Sequence, residues 1–210
     1  MLFYSGLIML FYKFDINTSI SVMFNEYIPK RGSLILSEPF MLDQNFERSV
    51  ILLCEHDDQD GTVGLILNHR SMLMLSDVLE EIENPEVPLY FGGPVEGNAL
   101  FFVHKAQEKI PGGTHIVDDL YWGGDFERLK YLINESLISN EEVKIFLGYS
   151  GWSPGQLDGE IKQNSWAVHN SFNIDLAFIT DGENLWKEAL ISMGPKYAHV
   201  ANFPKRPEFN

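Results

Sequence analysis

Val143-Lys144-Ile145-Phe146-Leu147-Gly148-Tyr149-Ser150-Gly151-Trp152-Ser153-Pro154-Gly155-Gln156-Leu157 is the stretch from which the fold can be read. Residues 143–147 form an apolar run of strand length, and the chain then breaks at Gly148. Ser153 suits a helix N-cap, Pro154 the first helical position, and Gln156 the reciprocal place of a capping box. Trp152 precedes the cap and Leu157 follows it at the spacing of a hydrophobic staple. These local signals predict a strand, a turn and a helix beginning at Ser153.

Working outward, residues 33–37, 49–54, 62–67, 89–91, 100–104, 115–117, 166–168 and 176–179 read as strands. Asp57-Asp58-Gln59-Asp60-Gly61 makes a hairpin turn between two of them. Leu75, Val78, Leu79 and Ile82 have helical spacing, with Ser76 as cap and Asn84-Pro85 as stop. Asp125 caps a second helix running to about Leu137. A last helix carries Leu185, Trp186, Ala189, Leu190 and Met193, and Gly194-Pro195 ends it. Strands joined by turns, with helices inserted irregularly and no repeated βαβ alternation, predict an α+β fold. The expected architecture is a single compact domain with a mostly antiparallel or mixed sheet flanked by helices.

Several motifs resemble the YqgE/AlgH family, a bacterial family without an assigned reaction. They are Gly148-Tyr149-Ser150-Gly151-Trp152, Gly155-Gln156-Leu157, Glu160-Ile161 and Trp166, together with Gly64-Leu65-Ile66-Leu67-Asn68, Gly92-Gly93-Pro94-Val95 and the strand ending in His104. The resemblance runs from about Gly32 to Asn210 and implies a compact α+β domain. It further implies a regulatory role, since some members are labelled transcriptional regulators and no catalytic residues are established. Two positions depart from the family pattern. Ser150 stands where a small residue, commonly alanine, is usual, and His69-Arg70 replaces the usual Arg-Pro or Lys-Pro after Asn68. On this reading residues 32–210 are the family domain. Residues 1–31 are an N-terminal extension or a start placed too early, with Met9 or Met23 as the true start.

Composition bounds the function. A formal charge of -15 disfavours direct nucleic-acid binding, which needs clustered Lys and Arg, and docking on anionic membranes. The apolar run of residues 1–14 lacks the flanks of a signal peptide and the length of a membrane span. The single cysteine, Cys54, fits a reducing compartment and a cytoplasmic location. His56, Asp58 and Asp60 mimic the start of a calcium loop, but Leu67 occupies the place of its bidentate Glu. No histidine pair has zinc spacing. No metal and no cofactor is therefore expected.

The Gly148-x-Ser150-x motif resembles a nucleophile elbow, but Trp152 stands where the closing glycine belongs. No catalytic residue is assigned. Asn68, His104, Trp152, Gln156 and Glu160 lie at element ends, where pockets are lined, and form the candidate ligand site. The expected role is a non-enzymatic regulatory or binding protein with a protein or small-molecule partner. The alternative is a small hydrolase working at the Trp152–Gln156 turn.

Overall fold

The computed structural model describes residues 28–179 and 182–205, so the N-terminal run lies outside the described residues. Strands β1 (Leu34–Ser37), β2 (Val50–Asp57), β3 (Gly61–Ile66) and β4 (Arg70–Met74) precede a single helical turn, α1 (Leu75–Val78). Then come β5 (Pro88–Phe91), β6 (Val95–His104), β7 (Thr114–Val117), β8 (Leu120–Trp122) and α2 (Phe126–Asn134). The chain continues through β9 (Val143–Trp152), α3 (Gln156–Lys162), β10 (Trp166–His169), a 3-10 turn (Ile174–Phe178), α4 (Gly182–Ser192) and α5 (Pro195–Ala198).

β9 organises the sheet. Along one edge it runs antiparallel to β6, from Val143 opposite His104 to Tyr149 opposite Val95. Its other edge is shared. The first half pairs in parallel with β5, Ile145 opposite Leu89, and the second half pairs antiparallel with β3, Trp152 opposite Thr62. The path continues as β10-β1-β2-β3-β9-β6-β8-β7, with β4 on the outer edge of β5. Every strand pair except β5–β9 is antiparallel, as an α+β fold requires.

The fork between β3 and β5 forces backbones together. A Cβ on Gly93 would lie 2.3 Å from the Tyr149 backbone, and one on Gly148 would lie 2.6 Å from the Gly93 carbonyl. Gly148 also holds φ +67°, a conformation that only glycine adopts without cost. The Gly-Gly-Pro-Val turn is thus a close crossing over β9, not a phosphate loop.

Alternation along the strands sends side chains to both faces, and helices cover both. Leu34, Leu36, Leu52, Tyr90 and Phe146 pack beneath Trp186 and Leu190 of α4 and Tyr197 of α5. On the opposite face, Leu89, Ile145 and Leu147 meet Leu129, Leu132 and Ile133 of α2. Beside them Ile35, Ile51 and Ile66 meet Leu157 and Ile161 of α3.

Four local expectations are corrected. Residues 176–179 belong to a 3-10 turn, not a strand: the Asn173 side chain accepts the Asp175 N–H and winds the chain. The helix expected after Ser76 is only one turn, because Asp77 takes the Met74 N–H and Leu79 returns to extended backbone. α3 starts at Gln156, not Ser153, because Gly155 sits left-handed at φ +72° after a turn in which Ser153 accepts the Gln156 N–H. Pro195 stops α4 as expected but then opens α5. β4 and β8 are further elements that the reading of the sequence did not include.

Candidate functional site

The residues that follow β9 close on one carboxylate. Glu160, half-buried on α3, accepts the indole N–H of Trp152 at 2.9 Å and that of Trp166 at 2.8 Å on the same oxygen. Its other oxygen accepts the Gln156 amide at 3.0 Å, and Gln156 in turn accepts the Ser153 N–H. The two indoles meet edge to face at 6.0 Å, and Phe46 packs against both. Trp152 and Trp166 are buried, so Glu160 satisfies two donors that would otherwise be costly to bury. The staple partners Trp152 and Leu157 lie in the same apolar cluster. Around this pin, the turn Ser153–Gln156 is exposed.

Ser150 is completely buried and donates to the Gly92 carbonyl at 3.0 Å. Its hydroxyl therefore ties β9 to the Gly92-Gly93 crossing. It has neither the exposure nor the basic partner that a nucleophile needs.

His104 is also fully buried. Its Nδ1 accepts the Ala106 N–H and its Nε2 donates to the Gly123 carbonyl, so both nitrogens are used by a neutral ring. Burial holds its pKa below the ordinary histidine value. Asn68 caps β2 from the end of β3: its Oδ1 accepts the Val50 N–H at 2.8 Å, and its amide donates to the Arg48 and Gly182 carbonyls.

Trp152, Gln156 and Glu160 are thus brought together, whereas His104 and Asn68 stand apart. His104 faces Val143 and Trp152 ends the same ten-residue strand, a separation of about 30 Å at the rise of a β-strand. Asn68 lies at a third place, against the start of β2 and α4.

Two polar features escaped the reading of the sequence. Ser49, fully buried, lies 3.2 Å from Nε2 of His69, which also lies 3.2 Å from the Glu47 carbonyl. Both contacts fall on Nε2, so in the tautomer that donates to the Glu47 carbonyl the ring cannot take the Ser49 proton. Lys144 is 3% exposed within the core, and burial pushes its ammonium down to about 7. Its signal was available: it is the one charged residue in the run Val143–Leu147. Among the described residues, no three His, Cys, Asp or Glu side chains are grouped to hold a metal ion. Nor is any described helix long and apolar enough to cross a membrane.

A family model described as AlgH-like matches residues 34–198. The chain belongs to the AlgH-like family. Among its relatives, a UPF0301 protein of Cytophaga hutchinsonii is 42% identical over 181 residues, covering 86% of this chain and 98% of that protein. One from Parabacteroides distasonis is 43% identical, covering 89% and 94%. The AlgH protein of Pseudomonas aeruginosa, solved in solution, superposes with TM-score 0.67 at 25% identity, over 86% of this chain and 98% of that one. Protein DIP2367 of Corynebacterium diphtheriae gives TM-score 0.70, also at 25% identity, over 84% and 94%. In this AlgH-like chain the motif Trp152…Gln156…Glu160…Trp166 is one hydrogen-bonded unit, which gives its spacing a physical reason.

Proposed function

We propose that this AlgH-like protein is a non-enzymatic binding protein of a regulatory kind, and that the exposed Ser153–Gln156 turn is its recognition surface. The observation that carries this reading is the burial of Ser150: the only serine in an elbow-like motif is spent on a backbone carbonyl. The turn itself is exposed while its base is locked by Trp152, Glu160 and Trp166, which is how a loop on a rigid scaffold is preorganised for a partner. Asn68 and His104 hold the frame in place. The partner is a protein or a small molecule. A direct role on DNA is disfavoured by the charge of -15, so a transcriptional effect, as the label of some family members suggests, would pass through that partner.

The test pairs affinity capture and metabolite profiling of the wild-type protein with the same capture by Ser153→Arg, a change on the exposed turn. A partner held by wild type and lost by the variant, with an unchanged melting temperature, supports the reading. A wild-type esterase activity that disappears in Ser150→Ala would overturn it, as would tight sequence-selective DNA binding at physiological salt.

A further inference from the structure

Lys144 is a buried ammonium with no opposite charge beside it among the described residues. Its Nζ donates to the carbonyls of Ala177 at 3.0 Å and Ile179 at 2.9 Å, and lies 4.2 Å from the centre of the Tyr90 ring. Both acceptors belong to the 3-10 turn and its terminal residue, the segment that leads toward α4.

The described groups around it bring no compensating charge. From β5 comes Tyr90, whose buried hydroxyl has no hydrogen-bond partner. From β6 comes apolar Val103, paired with Lys144. Lys105, farther along, turns its ammonium to Asp175 at 2.6 Å and over the Phe178 ring. Asp175, the acid of the 3-10 turn, is thereby engaged at the surface. Arg70 of β4 acts on the Tyr90 phenol. No carboxylate among the described residues pairs with Lys144. A lysine buried in this way gives up its proton easily, because burial disfavours only the charged form.

We propose that the Ile174–Ile179 turn is a proton-coupled latch, which expels a proton from Lys144 when it closes over the amine and takes one up when it opens. The closed amine titrates near 7, and a solvated lysine near 10.4. Between those values the open form holds the extra proton, so rising pH favours closure by about tenfold per unit. Falling pH favours opening until about 7, below which both forms are protonated and the dependence ends.

Other shifted groups act outside this window. His69, His104 and His169 are held below 6.5 by burial, while Cys54 is raised above 9.0 and Tyr90 above 10.0. Among the shifted groups of the described residues, Lys144 is the one that titrates between pH 7.0 and 8.5.

Hydrogen exchange of the Leu176 and Ile179 amides, both bonded within the turn, tests the latch on the full-length protein. After correction for intrinsic rates, protection should rise about 15-fold from pH 7.0 to 8.5, because the closed amine is still half-protonated at the lower end. Lys144→Met should abolish that slope. Protection independent of pH in wild type, or the same slope in the variant, would overturn the proposal. If the variant does not fold, the ¹³Cε titration of Lys144 in wild type decides: a midpoint below 9 supports the latch and one above 9 overturns it.

Discussion

The two ends of β9 handle charge in opposite ways. Beyond Trp152, the carboxylate of Glu160 stays at the rim and gathers two indole N–H groups and an amide. Near Val143, the ammonium of Lys144 is sealed in the core and meets only carbonyls and a ring. A charge at the rim keeps part of its hydration while satisfying buried donors. A charge in the core must be compensated by dipoles alone, and its proton becomes the variable. The first arrangement makes a rigid end, the second a responsive one.

Breaking the rigid end should have the largest effect. Trp152→Ala empties a buried indole site, at a cost of about 3–5 kcal/mol. For a domain of this size that lowers the melting temperature by about 10 °C; an unchanged melt would show that this stretch does not anchor the fold. Glu160→Leu leaves two indole N–H groups without their acceptor and should cost about 1–3 kcal/mol in urea unfolding. Ser150→Ala removes one buried hydroxyl, worth about 0.5–1.5 kcal/mol, and a generic esterase assay should not distinguish it from wild type.

The responsive end predicts a smaller change under the same measurement. Lys144→Met loses two hydrogen bonds but also a buried charge, so its stability at pH 7 should stay within about 1 kcal/mol of wild type. A large loss there would mean that the ammonium is a strong anchor. On the acid side the three histidines cost stability as pH falls, and the carboxyl of Glu38, raised by burial, works in the opposite direction. Burial depresses the pKa values of His69, His104 and His169, so the unfolded chain binds more protons as pH falls through 6.5. The histidines' contribution, full above pH 6.5, should decline below it, and His104→Asn should flatten that decline in urea midpoints taken from pH 7 to 5.

The same contrast explains what the sequence made legible. Trp152, Gln156 and Glu160 lie within one turn and one helix, so local spacing places them together. Trp166 joins them only because β10 returns beside β1, a tertiary fact without a local signal. Asn68 and His104 could be assigned to strand ends but not to partners, since Gly182 and Gly123 come from distant segments. Residues 176–179 failed as a strand because a short apolar run has no decisive period. Strand β4 is mostly exposed and lacks an alternation of buried and exposed apolar residues, and β8 has only three residues. The start of α3 shifted because Gly155 could turn left-handed, overriding the cap expected at Ser153.

The central claim is that the signature residues form a structural pin, and a double-mutant cycle between Trp166→Phe and Glu160→Leu tests it most directly. Removing the indole N–H and the carboxylate separately and together isolates their interaction from the cavity each leaves. Unfolding in urea should give a coupling of about 1 kcal/mol, the scale of a hydrogen bond to a partly exposed charged group. Free energies that simply add, within about 0.3 kcal/mol, would contradict the account.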